Sequence, residues 1–164
     1  MDQFNFKCSE TKKSFEMANP DVQYSGKGYA IFLIAGKEYG IDVEQLNSII
    51  NPQEFISFQH SFTIKEDSIC IDEKEISIIN LYGIYHLHAP SQDTDTRIIV
   101  VNVEEHTFAF YVEKVKEFIS IGTKSSEQSE FISMNDEPLI KWKMKYGDRY
   151  VLLPDFDKIF SAVI

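Results

Sequence analysis

The chain has 164 residues, 43 % of them hydrophobic and 13 % aromatic, enough to build a core and too apolar for a disordered polymer. Acidic residues outnumber basic ones 26 to 16, and the formal charge of −10 repels rather than attracts a phosphate backbone. Two cysteines, Cys8 and Cys70, make no disulfide scaffold, and no run approaches the ~18 apolar residues that span a bilayer. A cytoplasmic protein that inserts in no membrane and binds no nucleic acid is the expectation.

Residues 1–27 are polar and lack a sustained period, so they read as a tail ahead of one domain over 28–164. From Tyr29, "YAIFLIAGKEYGIDV" reads as two strands around a turn at Gly36–Lys37, followed by a short helical turn. "SICIDEKEISIINL" reads as a hairpin, with Ile69, Ile71, Ile76 and Ile78 on alternate positions and a charged turn at Asp72–Glu75. Leu81, Ile84 and Tyr85 then have helical spacing behind Asn80 as a candidate N-cap. "HAPSQDTDT", residues 88–96, is a linker by composition.

After it the programme restarts. "RIIVVNVEEHTFAFYVEKV" is a second strand, turn and strand, and "LIKWKMKYGDRYVLLP" a second hairpin turning at Gly147–Asp148. "DFDKIFSAV" places Phe156, Ile159, Phe160 and Val163 on one helical face behind Asp155 as N-cap. A shift of 69 positions superposes "YGIDVEQLNSII" on "FAFYVEKVKEFI". Over the 21 positions starting at Ala30 and Ile99, only Val43/Val112, Glu44/Glu113 and Ile50/Ile119 are identical, so what is shared is apolar pattern. The repeated order predicts an all-β fold of two similar small β-barrels sharing one core, about 29–87 and 97–164, since closing a sheet removes exposed edges.

No catalytic constellation emerges. His60, His86, His88 and His106 complete no zinc-like spacing, and Cys70 sits mid-hairpin between isoleucines. No glycine-rich phosphate loop is present, and acidic pairs such as "VEEH" and "DFD" read as a turn and a cap. The chain is therefore expected to be no enzyme and to hold no metal or cofactor. One strand stands out: in "IKWKMKY", Lys141, Lys143 and Lys145 alternate with Ile140, Trp142, Met144 and Tyr146. The lysines read either as a solvent face that discourages edge pairing or as a face for an acidic partner.

"FLIAGKEYGIDVEQLNSII", "RIIVVNVEEHTFAFYVEKVKEFI" and "PLIKWKMKYGDRYVLLPDFDKIF", in that order and spacing, resemble the CheW-like family of bacterial chemotaxis coupling proteins. The resemblance runs from about Tyr29 to Ile164. It implies two five-stranded, SH3-like β-barrels around a common core with short capping helices, and no enzymatic activity. It implies as partners the regulatory domain of the histidine kinase CheA, the cytoplasmic tip of a chemoreceptor, and other CheW-like domains. Where the family commonly reads I-N-L-R-G-x-x-x-P-V-I-D-L, this chain reads "ICIDEKEISIINL". Asp72 and Glu73 thus replace the arginine and glycine of a turn associated with receptor and kinase contacts, which inverts a charge.

Carried over as partner-facing are Leu46 and Ser48, after the first helical turn, with Cys70, Asp72 and Glu73 at the hairpin turn. The altered turn motivates a variant reading, a specialised scaffold that binds the kinase or another CheW-like domain but not standard receptors. Two other readings are a metal-binding or enzymatic barrel using Cys70, Asp72, His86 and His88, and a single-strand nucleic-acid module stacking bases on Trp142 and Tyr146.

Overall fold

In the computed structural model, residues 27–54, 61–121, 129–134 and 139–163 are described. The tail expected over 1–27 lies outside them except for Lys27, as does His60. The first half contributes β1 (Lys27–Ile34), β2 (Lys37–Asp42), β3 (Leu46–Ile50), β4 (Phe62–Ile64), β5 (Ser68–Ile71), β6 (Lys74–Ile78) and α1 (Leu81–Ile84). The second contributes β7 (Arg97–Val103), β8 (His106–Val112), β9 (Lys114–Ile121), β10 (Ser129–Ser133), β11 (Ile140–Tyr146), β12 (Arg149–Pro154) and α2 (Phe156–Val163). The fold is all-β, with two sheets forming barrel-like halves.

The sheets do not follow the division at 88–96. One runs β4-β5-β6-β8-β7-β3 and the other β10-β11-β12-β2-β1-β9. Each half keeps its last four strands at home and lends its opening hairpin to the other sheet. Replacing β1–β6 by β7–β12, and the reverse, converts one order into the other, so the swap is symmetric. Each borrowed hairpin is held on both sides, by a short parallel pairing (β2 with β12, β8 with β6) and a longer antiparallel one (β1 with β9, β7 with β3).

Among the described residues each hydrogen-bonded sheet counts six strands, one more than the five per barrel that the resemblance implies. The strands not foreseen are β3 and β9, where the repeat reads as a strand pair followed by a helical turn, and the short edge strands β4 and β10, whose sequences "FTI" and "SEFIS" are too brief to show a period. The expected helical turn is confined to Val43–Gln45, where Gln45 N donates to Asp42 O at 2.8 Å, and the chain passes at once into β3. The first hairpin turn lies one residue earlier than read, at Ala35–Gly36, and the second is tighter than read, at Asp72–Glu73, all four residues having positive φ.

The swap explains why β1 and β7 read as unbroken apolar runs. One face of each lies inside a barrel: Tyr29 and Ile31 with Ile119, Met144, Val151 and Leu153, and Ile98 and Val100 with Ile50, Phe62, Ile69 and Ile76. The other face joins a shared central core, where Ala30, Phe32 and Ile34 meet Ile99, Val101 and Val103. A strand buried on both faces cannot alternate.

The helices follow the same symmetry. Asn80 caps α1, its Oδ1 accepting from Gly83 N at 3.1 Å, and Asp155 caps α2, its Oδ1 accepting from Lys158 N at 3.2 Å. Tyr85 stacks on Tyr39 at 5.6 Å and Phe160 on Phe108 at 5.7 Å, equivalent pairs in the two repeats. No helix among the described residues is long and apolar enough to cross a membrane.

Candidate partner-binding surface

Ionic contacts concentrate at one mouth of the second barrel. Alternation on β12 puts Arg149 on the same face as the interior residues Val151 and Leu153. Its guanidinium donates to Glu117 at 2.5 Å and to Glu38 at 3.1 Å, while Lys116 Nζ donates to Glu38 at 2.7 Å. Arg149 also lies 5.7 Å from the centre of the Tyr146 ring. Burial alone would raise the Glu38 carboxyl; the bonds and charges of Lys116 and Arg149 outweigh it and hold the group below the usual glutamate range. The bond to Glu117 leads in raising Arg149 above its ordinary value. These four side chains were not foreseen. Their sequence neighbourhoods are ordinary turn and strand text, and only the swapped hairpin brings β2 beside β12.

A second carboxylate ties the halves together. Glu113, between β8 and β9, accepts from Ala35 N, from Gly36 N at 3.3 Å and from Tyr82 Oη at 3.1 Å. The β1–β2 turn presents two backbone N–H groups to one anion, a small nest. Tyr82 gives up its proton less readily than usual, first through burial and then through the charge of Glu113.

The residues expected to face partners divide. Leu46 and Ser48 are 1 % and 3 % exposed, so they are not surface residues as folded. Leu46 fills the central core beside Val101 and Val103. The Ser48 hydroxyl donates to Asn47 Oδ1 at 3.1 Å, in a chain that continues from Asn47 Nδ2 to Asn102 Oδ1 at 3.3 Å. The reason is that β3 pairs with β7 directly after the turn, which directs these side chains inward.

The hairpin residues are accessible. Cys70 lies half-buried on the outer face of β5, opposite Thr63 on β4 and Glu75 on β6. Asp72 and Glu73 form the tip at φ of 49° and 70°. Asp72 N donates to Ser61 O at 3.0 Å, anchoring the tip to the segment before β4. Ser61, Phe62, Thr63, Cys70, Asp72 and Glu73 line an open cleft of about 420 Å³. The turn is thus acidic and uncovered among the described residues.

Lys141, Lys143 and Lys145 lie on β11, but β11 is no edge strand, because β10 pairs along it. They therefore have no bare edge to protect, although Lys141 and Lys145 are exposed as an outer face requires. His86 and His88 are exposed beyond α1, and among the described residues no three His, Cys, Asp or Glu side chains gather as a metal site would need. Cys70, Asp72, His86 and His88 are accordingly not brought together. Trp142 packs against the second barrel's interior and edge-on to Phe131, 6.2 Å away.

The CheW-like domain family's sequence model matches residues 28–163, from the second residue of β1 to the end of α2. A chemotaxis protein CheW from Treponema pallidum is 20 % identical over 151 residues, spanning 89 % of this chain and 87 % of that protein. The crystal structure of the scaffolding protein TtCheW from Thermoanaerobacter tengcongensis superposes with a TM-score of 0.61 at 19 % identity, covering 79 % of this chain and 88 % of that one. At such identity the structural likeness speaks for the fold, and the sequence match over both sheets speaks for the lineage: this chain belongs to the CheW-like domain family.

Proposed function

We propose that this protein is a non-enzymatic cytoplasmic adaptor that holds the regulatory domain of the histidine kinase CheA against the cytoplasmic tip of a chemoreceptor. The observation that carries the reading is the family match across 28–163, which takes in both sheets and both helices. The relatives' names, a chemotaxis protein and a scaffolding protein, point the same way. Binding physics is available too: among the described residues β3, β4, β9 and β10 end the two hydrogen-bonded strand orders, so strand edges and nearby apolar side chains can dock another barrel. Such an adaptor passes on a conformational bias through fixed geometry and performs no covalent step.

A second reading has its own support. The exposed tip carries Asp72 and Glu73, where the family commonly has arginine and glycine, and a charge-oriented contact cannot ignore that inversion. On that reading the protein is a specialised scaffold for the kinase, or for another CheW-like domain, and ignores standard receptors.

Calorimetric titration against a CheA regulatory domain and, separately, a receptor-tip coiled coil from the same cell decides between them. Binding to both supports the ordinary adaptor. Binding to the kinase domain alone supports the specialised one, and writing the family's turn into residues 70–77 should then create receptor binding. Binding to neither overturns the proposal and leaves the fold standing.

A further inference from the structure

The outer face of the sheet that ends in β10 is unlike the rest of this acidic molecule. Strand register sets Tyr39 on β2 beside Leu152 on β12, Leu152 beside Lys143 on β11, and Lys143 beside Ile132 on β10. Partners in register share a face, so these four form one row across the sheet, running from Tyr39, buried in the central core, past half-buried Leu152 to Lys143 and exposed Ile132. In the next row Lys145 pairs with Tyr150, and Lys143 Nζ sits 4.6 Å above the Tyr150 ring. Ile132 and Tyr150 are 41 % and 48 % exposed, two of the three large hydrophobic side chains most open to solvent among the described residues.

This face leads into a groove of about 470 Å³ between the sheet and the segment after α1. Its floor is apolar, built from Tyr39, Ile84, Leu139 and Leu152, and Lys37, His86 and Lys143 stand around it. The volume suits two or three large side chains or a small ligand rather than a whole domain. Among the described residues the groove's lining includes two lysines and no carboxylate, on a chain whose net charge is −10, and the acidic group acting on it is Asp155, whose charge is felt by Tyr85. Lys37 and Lys143 are the cations that line the groove, and Lys145 follows Lys143 two residues along the same face of β11.

We propose that this groove and the adjoining face of β10–β12 dock an acidic peptide segment of a partner protein, one carrying two or three large apolar side chains at short spacing. The apolar floor takes the side chains and the lysines take the carboxylates, so each feature covers what the other leaves exposed. A flat anionic membrane is the poorer fit. It cannot fill a concave groove, and the molecule's overall charge opposes approach to a surface of the same sign. The site is remote in sequence from the Cys70–Glu73 turn and independent of whether a receptor binds there.

The test uses the full chain and three labelled 14-residue probes, read by fluorescence anisotropy. One alternates Glu/Asp with Leu/Phe, one replaces its Leu/Phe by Ser, and one replaces its Glu/Asp by Lys. The first should bind about tenfold or more tighter than either other. Lys143→Glu with Lys145→Glu should weaken it about tenfold, as should Ile132→Ser with Tyr150→Ser. Lys27→Glu with Lys65→Glu, which invert lysines on other surfaces, should change it less than about threefold. Equal binding of the first two probes would overturn the proposal. So would an equal effect of the two charge inversions, or retention on phosphatidylserine vesicles with no preference among peptides. Thermal melts of every variant separate lost binding from lost folding.

Discussion

At the scale of single residues, the quantity to follow is the Glu38 carboxylate. Lys116 and Arg149 converge on it, and the group titrates below the ordinary glutamate value of ~4.3. A carboxyl with a lowered folded pKa stabilises the fold above its unfolded pKa, and that contribution is lost as pH falls through the folded value. Glu38→Gln keeps the size and an acceptor but removes the charge. Near pH 7 the variant should be less stable by about 1 kcal/mol, as expected for a partly screened ionic network. The gap should narrow as pH drops below ~4.3 and the wild-type carboxylate takes up its proton. Chemical denaturation of both proteins from pH 7 to pH 3 checks this. A gap of the same size at both ends would mean that Glu38 acts by packing and not by charge. Leu46 teaches the opposite lesson: with its side chain in the central core, Leu46→Ala should cost about 2–5 kcal/mol, and any loss of partner binding it caused would report stability first.

At the scale of elements, the Asp72–Glu73 turn sets local strain against surface chemistry. Both residues lie in the left-handed region, where Asn and Gly are at ease and glutamate is not. Asp72→Asn with Glu73→Gly should therefore stabilise the β5–β6 hairpin by about 1 kcal/mol, read as a higher midpoint in urea with an unchanged slope. No change, or a loss, would mean that the tip's bond to Ser61 and its surroundings already favour the acidic pair. This hairpin was legible in the sequence because Ile69, Ile71 and Ile76 alternate toward the first barrel's interior while Cys70 and Glu75 face outward. The caps were legible too, since Asn80 and Asp155 each precede a short apolar period. Strand β3, directly after the first repeat's turn, was not. Leu46, Ile49 and Ile50 stand at i, i+3 and i+4, which suits a helix, and also at strand positions whose two sides are both packed. The short edge strands escaped for the converse reason, since three to five residues carry too little pattern. At the candidate site, residue types could be read but not burial: Ser48 is a polar residue in the interior, Cys70 an apolar one only half-buried.

At the scale of the molecule, the sequence shows two repeats while the structure shows two sheets, and these are different divisions. Apolar pattern decides which face of a strand is buried; it does not decide which strand lies beside it. Since β1 and β2 pair with β9 and β12, while β7 and β8 pair with β3 and β6, neither repeat can complete a sheet from its own strands. A fragment of residues 1–90 would leave the β1–β2 hairpin with two apolar faces and no neighbours. The β4–β6 meander would lack the strand that closes against β6, and residues 91–164 would suffer the mirror-image loss. Each fragment alone should therefore lack a cooperative melt and show exposed apolar surface, and an equimolar mixture should recover the far-ultraviolet spectrum and elute as one 1:1 complex. Because association then supplies stability, the midpoint of the mixture should rise with concentration, unlike that of the intact chain. Two fragments that each melt cooperatively, with midpoints indifferent to mixing, would mean that the barrels fold as independent units and that the exchanged hairpins merely decorate them. The swapped arrangement predicts the reverse, one cooperative unit in which a change at either surface is felt through the central core that both hairpins build.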